Sequence, residues 1–189
     1  MTALVTTTAR GAEGTLEERW ATPVWLGTVR PSLDHERLRE EMRRTQHGRR
    51  DLEADDILDA DRARVAFAAL AQSLFTPDRP ETVQLSVQIW AADHRVPLAY
   101  GDGPWSAWCY LATAGLDATG RSGAVCLHDP RAGCDAAAVP GLPWGRALTL
   151  QSKPGLAVLA PGWLAHSVLP VSSGHTVAVL IARQLGRRS

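Results

Sequence analysis

Between residues 82 and 90 the chain alternates strictly. Val83, Leu85, Val87 and Ile89 are apolar, and Gln84, Ser86 and Gln88 between them are polar. A period of two sends successive side chains to opposite faces, so this stretch predicts a half-buried strand. Upstream, the period is helical. Leu38 and Met42 lie four apart, and Arg37, Arg39, Glu40, Glu41, Arg43 and Arg44 cover the other face. That pattern predicts a helix over 35–46, capped by Ser32 or Asp34. Val65, Ala69, Leu70 and Leu74 form a second stripe over 59–75, which Pro77 and Pro80 close. A short strand is predicted at 23–29, and the polar, acidic stretch 47–58 reads as a loop. Further strands are predicted at 105–112, 123–128, 147–151, 155–159, 166–171 and 176–182, separated by Gly- and Pro-rich connections. Two helices followed by a run of strands imply helices packed on a β-sandwich or an open barrel.

At 189 residues the chain is long enough for one domain with a substantial core. Residues 1–19 lack a period and are expected to be a mobile N-terminal segment, with a single domain over 20–189. Twenty basic and twenty acidic residues give zero net charge. A nucleic-acid or anionic-membrane partner would call for a basic excess, so neither is expected. The basic run at 183–188 reads as a solvated tail. Cys109, Cys126 and Cys134 are an odd set without CxxC spacing. They read as reduced thiols of a cytoplasmic protein. No signal peptide is evident, and no apolar run is long enough to span a membrane.

Residues 154–168 read PGLAVLAPGWLAHSV: a turn, a short apolar strand, a second turn, and a histidine opening another strand. Upstream stands Asp129-Pro130-Arg131. TPVW begins at Thr22, Trp90 ends the alternating strand, and Ser106 to Leu111 reads SAWCYL. In this order the motifs resemble the 2-oxoglutarate/iron(II)-dependent oxygenases, and the likeness covers most of the chain. The resemblance implies a mainly β fold, a double-stranded β-helix of jelly-roll, cupin-like form with supporting helices. It also implies Fe(II) and 2-oxoglutarate as cofactors, with His166 as the distal iron ligand.

Two features depart from that family. Its first ligand pair precedes the SAWCYL-like strand, and an ungapped count puts Leu98 and Tyr100 there. Leu98 has no donor atom, and Tyr100 would be an unusual ligand. A shifted match offers His94, with Asp102 from the next loop, so the best available metal set is His94, Asp102 and His166. Each has a plainer reading: His94 as a polar loop residue, Asp102 as a turn residue, and His166 as a strand-end histidine. The family's co-substrate arginine opens the last strand, where this chain has His175. A neutral imidazole cannot copy the bidentate fork of a guanidinium on a carboxylate. Arg183 lies too far along the strand to substitute. Together the departures suggest chemistry that has been relaxed or redirected.

A pocket is still expected. Ser106, Trp108 and Tyr110 share one face of their strand. Ser106, Trp105, Trp108, Arg131 and Trp163 are the candidate substrate-binding residues. His166, Tyr110, His128 and His175 are the candidate acids and bases. Asp129 reads equally as a turn carboxylate bridged to Arg131.

Three functions stay open. The first is an enzyme performing cyclisation, isomerisation or elimination on a small, largely apolar molecule without a cofactor, in keeping with bacterial natural-product biosynthesis. The second is an iron(II)/2-oxoglutarate hydroxylase with an altered triad, acting on a small molecule or a peptide. The third is a non-catalytic binding protein. A homodimer is compatible with all three.

Overall fold

The computed structural model describes residues 5–9, 12–19, 22–75, 82–101, 103–117, 120–131 and 145–184, with the backbone alone for 5–19. Helix α1 spans His35–Arg44 and α2 spans Ala60–Phe75. Asp34 caps α1 by accepting the Arg37 N–H at 3.0 Å, and Asp59 accepts the Arg62 N–H at 3.1 Å at the start of α2. Each bond satisfies an amide that the first helical turn leaves unpaired. Leu38 and Met42 form the buried face of α1. The buried face of α2 is Ala60, Ala63, Phe67, Leu70 and Ala71. Val65, expected in that stripe, is 70% exposed because it lies off the 3.6-residue line through Ala63, Phe67 and Leu70.

The strands are β1 (Val5–Ala9), β2 (Ala12–Arg19), β3 (Thr22–Val29), β4 (Arg49–Leu52), β5 (Val83–Trp90), β6 (Val96–Ala99), β7 (Trp105–Ala114), β8 (Val125–Leu127), β9 (Leu148–Leu150), β10 (Leu156–Pro161), β11 (His166–Val168) and β12 (Thr176–Gln184). They build two antiparallel sheets. The larger has the order β1-β2-β3-β10-β7-β12-β5-β4, and the smaller β6-β11-β8-β9. This is the double-stranded β-helix that the resemblance implies.

Four strands lie outside those that the sequence pattern predicts. β1 pairs with β2, and β2 pairs with β3. β4 lies within the expected loop and pairs with β5, Arg50 opposite Ile89. β6, also unexpected, pairs with β11.

The large sheet separates two cores. On β5, Val83, Val87 and Ile89 face the helices, joined by Trp105, Ala107 and Cys109 of β7 and Ala178 and Leu180 of β12. The alternate residues face the barrel interior. There Trp108, Tyr110, Val158, Val177 and Val179 meet Val125, Leu127 and Leu150 of the small sheet. Burying side chains of this size contributes about 1.5–3 kcal/mol each. Cys109 belongs to the helix-side core, and burial pushes its thiol up to about 12. Cys134 lies outside the described residues. No helix among the described residues is long and apolar enough to cross a membrane.

Candidate functional site at the barrel mouth

The site is organised around His166. The turn before it is fixed by backbone bonds: the Gly101 N–H donates to the Gly162 carbonyl at 2.8 Å, and the Gly162 N–H donates to the Pro104 carbonyl at 2.9 Å. A Cβ on Gly162 would lie 1.9 Å from the Gly103 carbonyl oxygen, so only glycine permits this approach. β11 then places His166 opposite Ala99 on one side and Leu127 on the other. Its ring lies 4.7 Å from Trp108, inclined at 53°. Nδ1 is buried without a hydrogen-bond partner. Burial pushes the imidazole below its ordinary value; the nearby Leu164 carbonyl opposes this, and His128 adds to it. The Leu164 carbonyl therefore favours the charged form without bonding Nδ1 in proper geometry. Burial therefore favours the neutral form of the His166 imidazole.

Around it the inner face turns polar. On β12, Arg183 stands opposite Ser106 of β7 and Gln84 of β5, and Ile181 opposite Trp108 and Ser86. Directly opposed residues share a face. Arg183, Gln84, Ser86 and Ser106 therefore sit on the interior face, at the end of the ladder near His166. Gln88 lies one step deeper and accepts the Trp90 indole N–H at 2.9 Å.

The sequence-derived candidates do not all gather here. Trp108 and Ser106 do. Trp105 packs in the helix-side core, because alternation places it opposite in direction to Trp108. Tyr110 is fully buried, and its hydroxyl is saturated. It accepts the Val125 N–H at 2.9 Å and lies 2.9 Å from the Gly123 carbonyl and 3.2 Å from that of Leu150. Burial raises its pKa well above the ordinary value. Tyr110 ties the two sheets together and has no hydroxyl free for substrate.

His128 Nε2 lies 2.9 Å from Ser167 Oγ, and Ser167 alternates with His166 to the other face of the small sheet. Arg131 is forked onto Asp129, whose side chain is fully buried and also accepts the N–H groups of Arg131 and Gly145. The Arg131 guanidinium, foremost among the causes, holds the Asp129 carboxyl below the usual carboxylate range. Arg131 is a brace on its own loop, as the alternative reading of Asp129 had it. Trp163 is 55% exposed at the turn tip. His175 lies in the turn before β12, level with the Thr113 end of β7, whereas Ser106 and Trp108 lie toward the other end. It therefore shares no site with His166.

These placements test the iron site. The neighbours of His166 across the ladder, Ala99 and Leu127, have no ligand atom. The His94 carbonyl accepts the Val171 N–H, five residues beyond His166. That bond lies beyond the end of β11 at Val168, whereas ligands of one ion must all come within about 2 Å of it. His94 instead stacks on Trp90 at 5.3 Å. Burial lowers its pKa, with Arg49 acting the same way and Asp51 opposing. Asp102 lies outside the described residues. Among the described residues, no three His, Cys, Asp or Glu side chains converge on a common point.

The co-substrate fares no better. Inward from the mouth, β12 presents Ile181, Val179 and Val177 against Val125 and Val171. A Cβ on Gly123 would already lie 3.0 Å from Val177, so this floor is closely packed. The described residues therefore do not fit iron together with 2-oxoglutarate.

Gln84 and Ser86 escape the sequence reading, and Arg183 enters it only as too far along its strand to replace the co-substrate arginine. Their signal was present in the two-residue period, which puts Arg183 on the face of Val177 and Val179 and groups Gln84 with Ser86 and Gln88.

Solved structures share this fold. Over 86% of this chain and 93% of the other, a Pseudomonas putida prolyl-4-hydroxylase superposes with a TM-score of 0.56 at 12% identity. A prolyl 4-hydroxylase from Phytophthora capsici matches 81% of this chain and 54% of its own, with a TM-score of 0.51 at 17% identity. No family model and no curated protein matches the chain. At such identities the likeness concerns the fold, the double-stranded β-helix of the 2-oxoglutarate/iron(II) oxygenases.

Proposed function

We propose that this chain is an enzyme on the oxygenase fold whose barrel mouth carries out non-oxidative proton-transfer chemistry. Cyclisation, isomerisation or elimination on a small, largely apolar molecule are the reactions that suit it. The observation that supports this most is the setting of His166. A half-buried imidazole, kept neutral by its surroundings, lies against Trp108, between Ala99 and Leu127, with no second ligand beside it among the described residues. Nδ1 is sealed in the protein, so Nε2 is the nitrogen left to meet a substrate. It would take a proton from one position of the substrate and return it at another. Between the two steps the imidazole carries the proton and exchanges it with solvent, which is the work of a general acid–base group. Trp108 offers an apolar face to the substrate body, and Arg183 and Ser106 offer donors to an oxygen that gains charge as the proton leaves.

The hydroxylase reading would need Asp102 and a second ligand to reach His166, and the binding-protein reading would need no turnover at all. Incubating the chelator-treated protein with a panel of small apolar ketones in deuterated water separates them. The expected result is deuterium entering the substrate next to the carbonyl, lost in His166→Ala and kept in His47→Ala, whose histidine is exposed. Exchange at the same rate in His166→Ala would overturn the assignment.

A further inference from the structure

A second cavity, of about 600 Å³, lies away from the barrel mouth, between α1 and the ends of β7 and β12. Its floor is apolar, with Leu38 and Met42 from α1 and Leu111 and Ala112 from β7. Arg39 and Arg43 stand at its rim. Arg43 is paired with Glu40 at 2.6 Å, whereas no carboxylate among the described residues pairs with Arg39.

His175 also lines this cavity and is 3% exposed. Its Nδ1 lies 2.8 Å from Ser122 Oγ, and the same oxygen accepts the Ser172 N–H at 2.8 Å. Ser122 is buried, and among the described residues its hydroxyl proton has one acceptor in reach, His175 Nδ1. A neutral imidazole that accepts at one nitrogen donates at the other. The His175 proton therefore sits on Nε2. Burial favours the neutral ring, against the opposing charge of Asp117. Nε2 has no partner among the described residues and is not sealed within the protein, so its N–H opens to the cavity.

We infer that this cavity binds a small amphipathic carboxylate. The apolar body lies on Leu38, Met42, Leu111 and Ala112, and the carboxylate accepts from His175 Nε2–H and faces the Arg39 guanidinium. One unpaired guanidinium and one neutral donor match a single negative charge, whereas a phosphate dianion would call for more cations. The volume lies within the range of small-molecule sites, and the apolar floor calls for a ligand with a hydrocarbon body.

Calorimetric titration of the full chain with 4-phenylbutyrate tests this, with the uncharged 4-phenylbutyramide as control. Saturable binding with a 1:1 stoichiometry is expected for the carboxylate, and binding about tenfold weaker for the amide. Arg39→Glu should weaken carboxylate binding about fivefold, the modest effect of an exposed charge. Ala114→Trp, at an exposed position lining the cavity, should abolish it by filling the space. Both substitutions are at exposed positions, so the fold is kept. His166→Ala should leave this binding unchanged. Equal affinity for acid and amide, no saturable heat, wild-type affinity in both cavity variants, or loss of binding in His166→Ala would each overturn the assignment.

Discussion

The hydroxyl of Tyr110 lies 2.9 Å from the amide nitrogen of Val125, so a side chain of the large sheet holds down the first residue of β8 in the small one. The same oxygen reaches the Gly123 carbonyl at 2.9 Å. Tyr110→Phe would keep the ring and strand a buried N–H and its partner carbonyls. An unsatisfied buried group costs about 1–3 kcal/mol, so a loss of about 2–4 kcal/mol is expected. Urea denaturation measures it. An unchanged midpoint would show that the bond contributes nothing.

The Gly101–Gly162 contact sets the position of His166. In Gly162→Ala the new Cβ would meet the Gly103 carbonyl oxygen at 1.9 Å, against backbone that cannot swing aside. Overpacking of this kind costs about 1–3 kcal/mol. The variant should lose stability and deuterium exchange together, because the turn and the histidine move as one. Full exchange activity in a destabilised Gly162→Ala protein would show that His166 does not depend on this turn.

The distribution of the site explains what the sequence could tell. Both helices and the run of strands follow from periodicity, since Leu38, Met42, Phe67 and Leu70 have one face to bury. The alternation of β5 was legible too, but not its direction. A polar half-face usually meets solvent. Here Gln84, Ser86 and Gln88 turn toward the barrel, and the apolar half turns toward α2. Nothing within β5 distinguishes the two arrangements, because the helix that covers the other face comes from a separate part of the chain. The inward position of His166 followed from its motif and its turn. The separation of His166 from His175 and His94 did not, since it depends on strand register across two sheets. β4 was hidden by its composition: Arg49, Arg50 and Asp51 lie on an exposed edge, where charge is tolerated.

Three histidines share a direction of pKa shift. Burial is the largest cause for His94, His166 and His175, and each falls below its ordinary value of 6.5. The folded state therefore holds these protons less tightly than the unfolded chain does. Their contribution to stability is complete above about pH 6.5 and is lost as pH falls through that value toward the lowered folded-state pKa values. Asp129, also shifted down, adds a second loss at lower pH, below its ordinary 3.8, as it falls through the folded pKa. Thermal unfolding across the acid range should show two steps. Replacing His94 by Gln should shrink the upper step and leave the lower one. A stability curve flat between pH 7 and pH 5 would contradict the lowered pKa of all three rings.

The last test concerns iron and 2-oxoglutarate. His166 has Ala99 and Leu127 beside it, and β12 faces the barrel with Val177, Val179 and Ile181. A carboxylate carried into that interior would lose its hydration without gaining a guanidinium fork, since Arg183 stands at the rim opposite Ser106. Hydrogen bonds to a charged group contribute about 1.5–3 kcal/mol each, and a desolvated carboxylate without them is worse off than in water. A single histidine likewise supplies one of the three protein ligands that an open iron site uses. Anaerobic titration with iron(II), with and without 2-oxoglutarate, should therefore give weak metal binding and no visible charge-transfer band. His166→Ala should change the weak binding little, because no chelate is lost. A band that appears only with both components, and disappears in His166→Ala and Asp102→Ala, would reinstate a metal site completed by Asp102. Deuterium exchange that persists in chelator, together with the absence of that band, would leave His166 working as an acid–base group on its own.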